Sequence, residues 1–400
     1  SFTGWGIDYG LQHMQVAVGA RPGIQKDWQI TAWAYGHLLL NLSGNVVMSS
    51  AVLGSTVEQT GQALCGRIIP ELKPFPPQPF LRRVINTGKL LAYCLRAPAV
   101  VERFGEELNV FVIHNETDSK AMWRELEKKS AFFDHAMAVH IQSSALSGFL
   151  CTIVENMVSS KSNNSTSEEQ GEAIRLLAGA TGVESAVMLE KLDSLIDRVV
   201  EHPAAQLAFQ QATVDDALFW LRNEPTLAPI FATFLSDNGH RGYRELCMRD
   251  PAWRDDPSPL IQSMQASVHA RFVTGGRKPL LTANIDLSSL SRGLRWVLPK
   301  AHNAIRRREH TKSQLVEVAH RFKSGFRHLG KLLQEEGMLP DADLVNFFSV
   351  KELPGFVLRP DSAAVDRAIA RREALIYQQQ FEFPEISVGL PQPMEARAST

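Results

Sequence analysis

Apolar residues recur at helical spacing through most of this chain. Stretches with apolar positions three and four apart fall at about residues 80–109, 119–159, 168–180, 184–201, 204–222 and 225–238, and again from Leu260 onward. Few runs alternate with period two or concentrate β-branched side chains, so the pattern predicts a mainly α, multi-helix fold with few short strands. Residues 1–30 hold glycines and aromatics without a clear period and read as loop and short extended pieces. From Ile30 to about Cys65 an apolar stretch carries Asn41-Leu42-Ser43-Gly44 in its middle, a turn-like polar insert.

The proline-rich run Lys73 to Pro79 cannot be helical throughout and serves as a connector. Ser159 to Glu169 is polar and low in complexity, a surface loop between helices, and Ser165 with Glu168 has capping-box spacing for the helix that follows. Gly275 to Pro279 resembles a phosphate loop only in composition and reads as a turn. Asp286 and Ser288 are helix caps, Pro299 interrupts or kinks the helix they start, and Gly337 ends the helical region. Leu344 to Val350 is expected as a short strand and Ser362 to about Gln379 as a last helix. Two helical subdomains are expected, residues 1–160 and 161–400, the second containing a long helix at about 300–328.

That long helix holds the strongest chemical signal. At about 100° per residue, Ala301, Ala304, Ile305, Leu315, Ala319, Phe322 and Phe326 share one face, and Arg308 and Lys312 fall on it too. Two cations on an apolar stripe are costly unless an anion meets them, so the stripe is expected to open there onto a pocket or an interface. One turn apart, the two side chains can converge on a single phosphate or carboxylate. The alternative is that both stems snorkel to water or pair with carboxylates of another helix. Arg306 and Arg307 lie off the stripe and read as solvated.

The second candidate is Asn238-Gly239-His240-Arg241-Gly242-Tyr243-Arg244-Glu245. Two glycines around a His-Arg pair permit a tight backbone path that would expose both side chains, with Glu245 able to hold one of them. The same residues could instead form a structural turn.

Composition narrows the classes. Four hundred residues, 44% hydrophobic and 21% charged, can bury a full core. A formal net charge of −1 argues against a general nucleic-acid or membrane-surface binder, so any anion must be held locally. Cys65, Cys94, Cys151 and Cys247 lie far apart without CxxC pairing, and His135 and His140 are five residues apart, so no metal site is expected. No leader and no run near 18 apolar residues is evident, which predicts a soluble, cytoplasmic protein without a membrane span. The chain starts at Ser1 without an initiator methionine and reads as a piece of something longer.

Taken in order, these motifs form one pattern. Gly239-His240-Arg241-Gly242, Glu245 and Pro251-Ala252-Trp253-Arg254-Asp255-Asp256-Pro257 resemble the GHRG…E…PRW.EDP signature of phosphoenolpyruvate synthase-like proteins, in particular the rifampicin phosphotransferases. Arg308-Glu309, Lys312, Gln314, Leu329-Gly330, Gly337-Met338-Leu339 and Phe347 to Leu353 continue the resemblance, and Asn41-Leu42 resembles its "NL" element.

The resemblance implies a division of labour. In that family an ATP-grasp domain takes phosphate from ATP, a mobile domain carries it on a histidine, and a largely helical domain binds the acceptor. This chain resembles only the last of these. ATP and magnesium would be held by the absent ATP-grasp domain, no cofactor by this fragment, and no histidine here is the phosphorylated one. The implied partners are a small-molecule acceptor and the two other domains, with no nucleic acid and no membrane. Arg308, Lys312 and Gln314 match transfer-site positions, and His240, Arg241 and Glu309 are the expected substrate-binding residues. Gln314 lies well off the Arg308 face of an ideal helix. A non-catalytic helical binding module derived from the family is the rival expectation.

Overall fold

The computed structural model describes residues 2–24, 30–159, 167–274 and 290–394. The chain is mainly helical, and its described strands form one two-stranded sheet. Two compact units interleave along the sequence. One gathers Ser1–Arg96, Val110–Ile141 and Arg321–Thr400, the other Ala97–Asn109 and Gln142–His320. A single cut at residue 160 therefore does not separate these units.

In the first unit the amino-terminal loop expected from the sequence is instead a helix, α1 (Phe2–Ala17). Its glycines mark close packing. A Cβ at Gly6 would lie 2.5 Å from Phe133 Cε1, and one at Gly10 would lie 2.6 Å from Ile141 Cδ1, so small residues let another helix approach where propensity alone suggests a break. A hairpin follows, β1 (Thr31–Ala34) against β2 (His37–Leu40), antiparallel with Ala34 opposite His37. Its two-residue turn, Tyr35 and Gly36, has positive φ at both positions, the twist such hairpins need. The Asp8 carboxylate accepts from the Ile30 and Thr31 amides at 2.7 and 2.6 Å and so pins the hairpin to α1.

Asn41 is a helix cap rather than part of a turn. Its side chain accepts from the Gly44 amide and starts α2 (Leu42–Ala51). Next come α3 (Val57–Cys65), opened by a Thr56/Gln59 capping box, then α4 (Phe80–Val110) and α5 (Ser119–Ser159). The stretch Ser119–Val158 is long and apolar enough to cross a membrane by length and composition, contrary to the reading of the sequence. It also buries Gln142, Ser143 and Ser147, as a core helix would.

In the second unit, α6 (Ser167–Ala178) and α7 (Glu184–Glu201) match the apolar periodicity closely. The single helix expected over 204–222 is broken into a π turn (Gln206–Gln210) and α8 (Val214–Asn223), because the Thr213 hydroxyl caps the Asp216 amide at 3.2 Å. With α9 (Ala228–Asn238) and α10 (Ser258–Thr274) these elements enclose one core around Phe209, Leu221, Phe231, Leu260 and Met264. Arg271 of α10 ties to Asp193 and Asp197 of α7. A second core joins Val154 of α5, Leu176 of α6 and Leu294, Val297, Leu298 and Ala301 of α11 (Arg292–Glu335). Helix α11 runs through Pro299, which faces solvent, rather than being interrupted there. The expected caps at Asp286 and Ser288, the Gly275 to Pro279 turn and the Ser165/Glu168 capping box lie outside the described residues.

After α11, Gly337 takes φ of 74° as expected for a helix stop. The strand expected at Leu344 to Val350 is replaced by a 3-10 turn (Ala342–Phe347), started by the Asp341 carboxylate accepting from the Asp343 amide at 2.9 Å. Short α12 (Leu353–Leu358) and α13 (Ser362–Gln378) complete the first unit. Gly330 explains its place in the pattern here. A Cβ on it would lie 2.3 Å from the Ala342 carbonyl oxygen and 3.0 Å from Val345 Cγ1. Gly330→Ala is expected to cost about 1–3 kcal/mol through overpacking, read as a lower denaturant midpoint with an unchanged slope.

Candidate functional site

Along α11 the buried line of the helix changes character at one place. Leu294, Leu298, Ala301 and Ala304 are buried on this line, and so are Leu315 and Ala319 beyond. Between them stand Arg308 and Lys312, whose side chains are 43% and 47% exposed. The cations are therefore not embedded in a sealed core. The line opens where they sit, and their heads reach water.

Each has a carboxylate beside it. Arg308 Nη2 lies 3.2 Å from Glu309 Oε1, and Lys312 Nζ lies 4.0 Å from Glu245 Oε2. With the cation of each pair half-exposed and separations of 3.2 and 4.0 Å, neither pair holds its cation strongly. Glu309 also accepts from Ser185 Oγ at 3.5 Å.

The loop 239–256 docks on the adjacent face of α11. Gly239 is required by close approach, since a Cβ there would meet the Leu235 carbonyl oxygen at 2.3 Å and Arg254 Cβ at 3.0 Å. The glycines do not expose His240 and Arg241. Both side chains are buried. His240 Nε2 lies 3.0 Å from Ser313 Oγ, and its Nδ1 lies 3.6 Å from Glu317 Oε2. Arg241 Nε lies 2.6 Å from Glu245 Oε1, so Glu245 sits between Arg241 and Lys312. His320 Nδ1 lies 3.5 Å from Asp255 Oδ2. Ser313, Glu317 and His320 are spaced four and three residues apart, one polar face of α11 that receives the whole loop.

Burial holds the His240 imidazole down at about 4, with Arg241 and Arg254 acting in the same direction and Glu317 and Glu184 opposing them. Glu184 is opposed by burial, but hydrogen bonds from His310 and Ser313 bring it below the usual carboxylate range. His310, hydrogen-bonded to Glu184 at 3.0 Å, is raised by that bond.

The sign of the pH dependence follows. Below about 6.5 the unfolded chain protonates His240 while the folded chain stays neutral down to about 4, so acidification through that window favours unfolding. Glu184, depressed in the fold, loses its contribution in the same direction, whereas His310 contributes most at low pH. Stability is expected to fall by up to about 3 kcal/mol from His240 alone as pH drops through this window. Denaturant midpoints taken across that range for His240→Asn should show a flatter profile than the parent chain.

Gln314 does not join the two cations. It is 9% exposed, and a Cβ on Gly105 of α4 would come within 3.3 Å of its Nε2, so it faces α4 and not Arg308. Its Oε1 is buried without a hydrogen-bond partner among the described residues. The geometry thus gathers Lys312, Arg241 and Glu245, pairs Arg308 with Glu309, and leaves Gln314 apart. Ser313, Glu317, Glu184 and His320 are the residues sequence reasoning missed. For Ser313, Glu317 and His320 the signal was the polar spacing along α11 beside the apolar stripe, whereas Glu184 stands on α7, outside that pattern.

Residues 135–309 match the family model described as the rifampicin phosphotransferase fourth domain. The likeness read from the sequence is thereby shown. The chain is also 23% identical over 243 residues to the prodigiosin synthesizing transferase PigC of Serratia marcescens, a match covering 55% of this chain and 26% of that protein. Both named relatives are transferases, and the chain spans about a quarter of PigC. The rifampicin phosphotransferase-like stretch includes His240, Arg241, Glu245, Arg308 and Glu309, while Lys312, Ser313 and Gln314 lie just past its end.

Proposed function

We propose that this chain is the acceptor-binding domain of an ATP-dependent phosphotransferase that relays phosphate through a phosphohistidine domain. The observation that carries the reading is the opening at Arg308 and Lys312: two cations one turn apart, half-exposed on an otherwise buried helix line, at the edge of the rifampicin phosphotransferase-like stretch. The transferred phosphoryl group carries negative charge on three oxygens, and catalysis of its passage is chiefly positioning plus charge stabilisation. An arginine fork and a lysine point charge, each released from a weak carboxylate pair, supply that. Gln314, buried against α4, takes no part in this clamp. His240 and Arg241 act by holding the loop on α11, which fixes Glu245 beside Lys312.

The test uses the longer polypeptide. Label from radiolabelled ATP should enter the protein in wild type and in an Arg308→Ala/Lys312→Ala double variant alike, and leave it for an acceptor only in wild type. A wild-type protein that takes up no label would favour a binding module without chemistry. Equal transfer by both proteins would remove the clamp.

A further inference from the structure

The outward face of α11 before Arg308 is unlike the rest of this near-neutral chain. From Arg292 to Arg308 the sequence holds Arg292, Arg295, Lys300, Arg306, Arg307 and Arg308 and not one aspartate or glutamate. Leu294, Val297, Leu298, Ala301 and Ala304 turn inward. Arg292, Arg295, Trp296, Lys300 and Arg307 are exposed on the opposite side, a strip about 22 Å long at 1.5 Å per residue. Arg306 donates to the Thr181 carbonyl and the Asn303 side chain, and Lys300 lies over the Trp296 ring at 3.7 Å. Arg292, Arg295 and Arg307 make no ion pair among the described residues. Trp296, 67% exposed, stands among them.

We infer that this strip is a docking surface for a protein partner whose contact face is rich in aspartate and glutamate. Charge complementarity chooses the occupant. The exposed cations are mostly arginines, which pair carboxylates in a planar fork and which, with tryptophan, concentrate at the energetic centres of protein interfaces. A membrane is a poorer fit, because an interfacial helix inserts its apolar face and here that face is buried in the core of the unit. A nucleic acid is a poorer fit because a chain of net charge −1 lacks the wider field that draws a polyanion. The strip lies on the side of α11 away from Arg308 and Lys312, so this inference does not rest on the proposed transfer chemistry.

The probe is a fluorescein-labelled peptide made mostly of glutamate and aspartate, titrated with the 400-residue chain by anisotropy at low and at physiological salt. The expected result is binding that weakens with salt and falls about tenfold or more in Arg292→Gln/Arg295→Gln/Arg307→Gln. Trp296→Ala, which keeps every charge, is expected to weaken it by a smaller factor, and circular dichroism should show both variants folded. No binding by wild type, or binding unchanged in the triple variant, overturns the inference. So does tighter binding of an oligothymidine or of phosphatidylserine vesicles than of the peptide. A concentration-dependent dimer abolished by the same three substitutions overturns it too, making a second copy the occupant.

Discussion

Arg241→Ala is expected to lower the stability of the chain by about 3 kcal/mol or more, the largest single loss among the polar residues of the docked loop. Arg241 is buried, and Nε lies 2.6 Å from Glu245 Oε1. Among the described residues, alanine would leave the Glu245 carboxylate with Lys312 at 4.0 Å as its one remaining ion-pair partner to offset its partial burial. Removing one partner of such a pair costs far more than the pair itself contributes, because the remaining charge stays where water cannot fully reach it. The main-chain carbonyl of residue 241 also accepts from the Trp253 amide at 2.8 Å, a bond that alanine keeps, so the expected loss is that of the side chain. Arg241→Lys keeps the charge but not the planar guanidinium that fills this buried place, and is expected to recover only part of the loss. Chemical denaturation of the two variants beside the double variant Arg241→Ala/Glu245→Gln decides the matter. If the single alanine costs less than about 1 kcal/mol, the pair is solvated and the loop is held by its backbone alone.

This result bears on how the GHRG element works. In sequence, a histidine and an arginine between glycines look exposed and ready for substrate. In the structure Gly239 exists so that the chain can pass within contact distance of the Leu235 carbonyl and Arg254, and that passage buries the two side chains against α11. Arg241 pairs locally with Glu245, but the partners of His240, Ser313 and Glu317, lie more than seventy residues away in sequence. No local pattern announces such a pairing. The resemblance and the family model agree on this loop, which lies within residues 135–309, while Asn41-Leu42 and the motifs from Lys312 to Leu353 fall outside the matched stretch.

The helices themselves were legible wherever one face had to be buried. α5 and α7 begin and end where the apolar periodicity begins and ends. The errors share a cause, which is local chemistry overruled by packing or capping. Residues 1–30 show no clear period in sequence because glycines and aromatics break the apolar pattern, yet in α1 Gly6 and Gly10 are where Phe133 and Ile141 come close. The π turn before α8 interrupts a helical period because a threonine cap restarts the chain. Asp341 converts an apolar run that resembles a strand into a 3-10 turn. The helical wheel put Arg308 and Lys312 on the inward line correctly, but periodicity cannot say where neighbouring helices fail to cover that line.

That uncovered stretch sets the second large expectation. Under the proposed relay, and in a longer protein that carries it, Arg308→Ala is expected to lower kcat/KM for transfer to the acceptor by about a hundredfold to a thousandfold, the usual consequence of removing one donor from a charge-stabilising site. Lys312→Ala should cost less, about tenfold to a hundredfold, because its ammonium is a hydrated point charge already drawn toward Glu245 at 4.0 Å. On the proposed reading both act on one phosphoryl group, so the double variant should lose less than the product of the two single losses. The loss should fall mainly on kcat, since the charge these residues meet is greatest during transfer and not on the resting acceptor. Arg308→Lys should restore part of the rate by restoring charge without the fork. Phosphorylation of the carrier histidine should be untouched in every variant, measured as acid-labile protein phosphate before acceptor is added. If instead KM rises while kcat holds, the two cations bind the ground-state acceptor and a different group stabilises the transferring phosphate.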